Sequence, residues 1–220
     1  MGRQPHNWLV NRIGERAMFP LAHRHLKGRL IDIGCGNKPY DGRFGPQVTE
    51  HVGLEHAGNN KGFEHVDLVG TAYDIPAPDA SFDSAICSAV LEHLEEPEAA
   101  LRECLRVLKP GGSAIYTIPF IWHIHEAPRD FYRYTRYGID HLFRKAGFEK
   151  IQVLPLSGYW VTASQMFAYY ITRRHAGVLH ALGVRFVLAF LAQCWGLVMH
   201  RFDKSPAWTW MYIVVARKPG

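Results

Sequence analysis

The sequence has 220 residues, 48% of them hydrophobic, with 25 Lys and Arg against 20 Asp and Glu for a formal net charge of +5. That length buries a full core, and the apolar content excludes disordered and fibrous classes. The charge is uneven: residues 160–220 hold seven basic residues and one acid, +6, which leaves −1 for the first 159.

The chain opens with no apolar h-region, so no signal peptide is expected, and the protein is placed in the cytoplasm. An amphipathic helix is predicted over Trp8 to Leu26, followed by a buried strand, Leu30-Ile31-Asp32-Ile33, stopped by Gly34. Val52 to Glu55, Glu64 to Leu68 and Phe82 to Cys87 are predicted as three further strands. Pro97 suits the first turn of a helix running to Leu108, with Ala100, Leu101, Cys104 and Leu105 on one face and Pro110-Gly111-Gly112 ending it. A strand over Ser113 to Ile118 follows. Thr135 is placed to cap a helix that ends at Gly147, and the last two strands are Ile151 to Leu156 and Met211 to Ala216.

Strands alternating with helices predict an α/β fold with a mostly parallel, doubly wound sheet. A single domain over 1–220 is expected, with a helical, apolar and basic insertion at 159–205. The four cysteines, Cys35, Cys87, Cys104 and Cys194, lack paired spacing, which argues for reduced thiols.

The first strand leads into Asp32-Ile33-Gly34-Cys35-Gly36, where two glycines let backbone approach a ligand at the strand's carboxyl end. A dinucleotide site wants a third glycine at position 39, which is Pro39. Glu55, 19 residues after Gly36, is placed to accept hydrogen bonds from ribose hydroxyls. The pattern thus predicts a ribose without a pyrophosphate seat.

These residues, together with Asp74-Ile75-Pro76, Ser81-Phe82-Asp83, Val90-Leu91-Glu92-His93-Leu94 and Arg106-Val107-Leu108-Lys109-Pro110-Gly111-Gly112, resemble class I S-adenosylmethionine-dependent methyltransferases of the type 11 kind. The resemblance covers about residues 29 to 150. It implies a Rossmann-like seven-stranded sheet whose last strand is antiparallel, and S-adenosylmethionine as cofactor. It also implies that Gly34 and Gly36 pass the methionine portion, Asp32 orients that loop, and Glu55 holds the ribose diol. Asp74 would accept from the adenine amine with the Ile75 amide facing the ring, and Cys87 and Ser88 would offer backbone to the methionine ammonium. Asp83 is expected to anchor its strand. The block His125 to Thr135 resembles a bacterial subgroup associated with cell-envelope sugars or lipid-linked substrates.

The expected activity is methyl transfer at oxygen to a small or lipid-linked acceptor, with a sugar among the candidates. Candidate proton acceptors are His93, His123, His125, Glu126 and Asp130, with His125 first because a loop crowded with charges surrounds it. His123-Ile124-His125-Glu126 fixes no third or fourth metal ligand by spacing, so no metal is expected. A nicotinamide-dependent oxidoreductase and a non-catalytic cofactor-binding subunit are the alternatives.

The 14-residue apolar run Phe186 to Met199 is short for a bilayer span. With Arg173, Arg174, Arg201 and Lys204 and three tryptophans around it, residues 176–204 suit a peripheral contact with the inner face of a membrane, while core packing or a homodimer contact stays equally open. The basic residues form no polar stripe, so no nucleic-acid partner is expected.

Overall fold

The computed structural model describes residues 5–58, 62, 64–173, 183–203 and 205–220. Arg174, Lys204 and the stretch 176–182, all part of the predicted membrane contact, lie outside the described residues. The chain divides into two compact units, one formed by 18–119, 124–154 and 212–220, the other by 1–17, 120–123 and 155–211.

The larger unit is built on seven strands: β1 (Gly28–Ile33), β2 (Val48–Glu55), β3 (Leu68–Val69), β4 (Phe82–Ser88), β5 (Leu108–Pro119), β6 (Glu149–Pro155) and β7 (Met211–Arg217). They lie in the order β3-β2-β1-β4-β5-β7-β6. β1 pairs in parallel with both β2 and β4, and β4 in parallel with β5. β7 runs antiparallel to β5, because Gly111 pairs with Pro219, Gly112 with Lys218 and Phe120 with Trp210 in opposite chain directions. The order of strands reverses between β1 and β4, which opens a crevice beyond their carboxyl ends. Leu30, Ile31, Phe82, Ile86, Ala114 and Ile115 make the centre of the sheet fully buried, as near-continuous apolar strands covered on both faces require.

Helices α1 (Trp8–His25), α2 (Pro97–Val107) and α3 (Arg136–Ala146) form as their sequence signals dictate. Pro97 occupies the first turn of α2, whose Ala100, Leu101, Cys104 and Val107 are buried. Thr135 Oγ1 accepts from the Gly138 amide at the start of α3, and Gly147 ends it in the left-handed conformation, φ 108°.

Two boundaries differ from expectation. Lys109-Pro110-Gly111-Gly112 does not stop α2 from outside but belongs to β5, where Gly111 and Gly112 pair with Pro219 and Lys218 just past β7. The orphan carbonyls at the end of α2 are met instead by Lys218, whose Nζ donates to Leu105 and Leu108 at 2.6 Å each. The predicted strand over 64–68 contracts to Leu68–Val69. There the Asp67 carboxylate takes the Gly53 amide at 2.6 Å and bonds Lys38, so side-chain partners replace a ladder.

The smaller unit pairs α4 (Tyr159–Arg173) with α5 (Val184–Met199). Gly196 permits the approach: a Cβ there would stand 2.6 Å from Ser164 Oγ and 3.1 Å from the Trp160 carbonyl. Gln193 is fully buried and accepts from the Leu9 amide at 3.2 Å, satisfying a donor in the first turn of α1.

Candidate active site

Gly34 and Gly36 follow β1 with φ of 75° and 53°, a region that glycine enters at little cost. The Gly34 and Cys35 amides donate to the Leu54 carbonyl, which folds the loop over the end of β2. A Cβ at Gly34 would stand 2.5 Å from Val90 Cγ2, so only glycine lets this loop lie against the turn after β4. Glu55, with a side chain 11% exposed, accepts from the Gly36 amide through Oε2 at 2.9 Å and from the His56 amide through Oε1 at 3.0 Å. Its carboxylate therefore lies at the mouth of the glycine loop. This glycine cradle with an accessible carboxylate fits a ribose-bearing ligand without phosphates.

Asp32 is buried, and its Oδ2 bonds His51 Nε2 at 3.1 Å, while His51 Nδ1 meets Asp41 at 3.0 Å. Burial pushes the Asp32 carboxyl up, opposed by the His51 bond. Burial works to lower His51 as well, but its two carboxylate partners carry it above the ordinary imidazole value. His51 was invisible as a partner in sequence, since β-sheet register alone brings position 51 beside Asp32.

Asp74 is exposed in a tight turn, where its amide and the Thr71 amide exchange bonds with each other's carbonyls. Ile75 departs from expectation: its side chain is buried and its amide donates to Glu103 Oε1 at 2.8 Å, so that amide is engaged by a carboxylate and not turned to a ring. Arg106 then pins the loop by donating to the Ile75 and Ala77 carbonyls and to Asp79. Asp83 anchors its strand, taking the Arg29 amide at 2.9 Å and Lys109 at 2.8 Å. Cys87 is buried beside Ile33 at the end of β4, and Ser88 Oγ bonds Thr117 at 2.9 Å.

Beyond Val90 a short turn, Leu91–His93, carries Glu92 and His93. The loop 124–134 closes on it: Phe131 and Tyr132 donate amides to the Glu92 carbonyl, Tyr134 donates to Leu91, and His93 Nδ1 bonds the Arg129 carbonyl. His93 and His125 meet edge to face, with ring centroids 4.7 Å apart. Burial, then the neighbouring His93, lowers the pKa of His125, keeping its imidazole neutral. Asp130, expected as a possible base, is instead an anchor. It takes two bonds from Arg133 at 2.7 and 2.8 Å and one from the His125 amide at 2.9 Å, and Arg133 holds it well below the usual carboxylate range.

Glu92 carried no expected role, although it stands in the block that contains His93. Its side chain is wholly buried, neither oxygen has a hydrogen-bond partner among the described residues, and burial pushes its pKa up to about 8. His123 belongs to the smaller unit, where its ring packs on Trp122 and Tyr169.

The methyltransferase domain family matches residues 31–116. A demethylmenaquinone methyltransferase of Anoxybacillus flavithermus is 30% identical over 171 residues, covering 58% of this chain and 72% of that protein. The chain belongs to the S-adenosylmethionine-dependent methyltransferases. S-adenosylmethionine is the cofactor, and the oxidoreductase alternative is set aside. A ubiquinone biosynthesis O-methyltransferase of Xanthomonas oryzae pv. oryzae is 36% identical over 95 residues, 38% of this chain and 40% of that one. The chain spans less than half the length of several curated relatives, 40 to 47%. The crystal structure of the [4+2]-cyclase SpnF shares the fold, with a TM-score of 0.61 at 24% identity over 92% of this methyltransferase and 80% of that chain.

Proposed function

We propose that this methyltransferase moves a methyl group to a hydroxyl of a small or lipid-linked acceptor, with His125 taking the proton. The observation that carries the reading is the contact of the Gly34 loop with Val90. It joins the cofactor cradle to the turn that bears His93 and, across it, His125. The relative named a ubiquinone biosynthesis O-methyltransferase supports oxygen as the acceptor atom.

When bound, S-adenosylmethionine supplies an electrophilic methyl on a sulfonium. Glu55 accepts from the ribose hydroxyls, Gly34 and Gly36 leave room for the methionine portion, and the Asp32–His51 pair keeps that loop in place. Asp74 would accept from the adenine amine, and the Cys87 and Ser88 backbone would hold the ammonium. A neutral His125 is in the state to accept a proton. His93 packs on its ring, and Asp130 acts as a positioning residue through the His125 amide and Arg133. Much of the rate then comes from holding the acceptor oxygen at attack distance. Comparing lipid and sugar extracts from cells with and without the protein by mass spectrometry should reveal one species that lacks a single CH2 increment when the protein is absent. Cofactor binding with no such species would favour a non-catalytic subunit.

The smaller unit supports peripheral contact with a membrane. No helix among the described residues is long and apolar enough to cross a bilayer. Phe186, Val187, Phe190, Leu191, Trp195 and Val198 lie at helical spacing along α5 and are each 46 to 58% exposed, with Arg201 beyond the helix end. Such a stripe with a cationic rim fits anionic headgroups. Sedimentation with phosphatidylglycerol vesicles should carry the protein down, phosphatidylcholine vesicles should do so less, and Leu191→Glu with Trp195→Glu should abolish it. A homodimer by light scattering that neither vesicle type recruits would assign the face to a second copy.

A further inference from the structure

The cluster beyond β4 holds an arrangement that a base alone does not explain. Glu92 Oε1 lies 3.7 Å from His93 Nε2 and 3.9 Å from His125 Nε2, and one ligand atom from each of the three residues lies within 4.8 Å of the others. We propose that Glu92, His93 and His125 form a binding site for a first-row divalent transition metal of the zinc type.

The donor set is the first reason. Two imidazoles and one carboxylate suit Zn2+, Co2+ or Fe2+ over Mg2+, which prefers oxygen ligands. Distance is the second. Metal bonds of about 2.0 to 2.2 Å set neighbouring ligand atoms roughly 3 to 3.4 Å apart, so the two carboxylate–imidazole sides, 3.7 and 3.9 Å, need to contract by about half an ångström, and the imidazole–imidazole side, within 4.8 Å, by no more than about 1.4 Å.

The supporting shell is the third reason. His93 donates its Nδ1 proton to the Arg129 carbonyl, which turns the Nε2 lone pair toward Glu92. His125 Nδ1 lies 3.4 Å from Asp130 Oδ2 and 3.3 Å from an Arg133 nitrogen, and Asp130 is itself held by Arg133. The Arg129 carbonyl orients His93 as carbonyls orient metal-binding histidines; at His125, where Arg133 can only donate to Nδ1, the Nε2 lone pair faces a metal once Nδ1 instead donates to Asp130 Oδ2. The fourth reason is Glu92 itself: a wholly buried carboxyl aimed at two histidines and with no hydrogen-bond partner among the described residues is costly to keep unless something binds it.

Three protein ligands leave positions for water and for an acceptor oxygen. A cation there would orient the acceptor, and His125 would be a ligand in the loaded protein and a free base without metal. That catalytic role rests on the reading above, whereas cation binding does not.

The test uses the full chain stripped with a chelator and titrated with Co2+ by absorption, then with Zn2+ against a chromophoric competitor. One cation per chain at micromolar concentration is expected, with Co2+ bands of nitrogen and oxygen coordination. Glu92→Gln and His93→Ala should each weaken binding by at least about tenfold, and His141→Ala, on the surface of α3, should not. S-adenosylhomocysteine calorimetry on every variant reports whether the cofactor site is intact. Absence of a stoichiometric cation in the wild type, or unchanged affinity in a Glu92→Gln or His93→Ala protein that still binds S-adenosylhomocysteine, overturns the metal site and leaves methyl transfer standing. Failure of the wild type to bind S-adenosylhomocysteine would strike the function and not the metal.

Discussion

Replacing Glu55 with alanine is expected to weaken S-adenosylhomocysteine binding by roughly 100-fold or more. Each hydrogen bond to a charged acceptor contributes about 1.5 to 3 kcal/mol, and the carboxylate would accept two from the ribose. The same substitution also frees the Gly36 and His56 amides, which now donate to its two oxygens at 2.9 and 3.0 Å. The glycine loop would lose its fixed position together with its ligand contact. Glu55→Gln keeps neutral acceptor capacity and should fall between the two. Calorimetry reads the affinities, and an unchanged melting temperature shows that the variants fold. Equal affinity in Glu55→Ala and the wild type would remove Glu55 from the cofactor site.

Replacing His125 with alanine is expected to lower methyl transfer by about 10²- to 10⁴-fold, the usual contribution of general acid–base catalysis. S-adenosylhomocysteine affinity should stay within about twofold, because the imidazole sits among Glu92, His93 and Arg133, whereas Glu55 holds the Gly36 amide of the glycine loop. The assay follows labelled methyl from S-adenosylmethionine into extracts of cells that lack the protein. A variant that transfers as fast as the wild type would dismiss His125 both as base and as ligand for a catalytic metal. The neighbouring Asp130 gives a contrast. Asp130→Asn keeps the shape but loosens the hold of Arg133, so it should slow transfer less than removing the ring.

Much of the fold was legible before any coordinates. β1, β4, α2 and α3 were marked by apolar period, capping residues and glycine stops, and all of these act within a few residues of one another. Asp83 was expected to anchor its strand, and it holds Arg29 and Lys109. The short β3 and the inclusion of Lys109 to Gly112 in β5 were not legible. Asp67 finds Lys38 and Gly53, and Gly111 finds Pro219, only once strands distant in sequence lie side by side.

The site divides in the same way. Gly34, Gly36 and Glu55 stand out in sequence because a glycine turn and a strand-end acid carry their spacing with them. The Ile75 amide looked free for a ring, and only the approach of α2 brings Glu103 to it. Asp130 looked like a base until Arg133 and the His125 amide were seen around it.

By itself, the sequence determined the family, the cofactor and the division of charge into a near-neutral body and a basic, apolar tail, because these rest on local pattern and composition. The tertiary structure decided which polar groups are satisfied. Glu92 is an ordinary acid in a line of letters. It becomes a buried carboxyl facing two histidines only because the loop after β5 folds back over the turn after β4 and removes it from water.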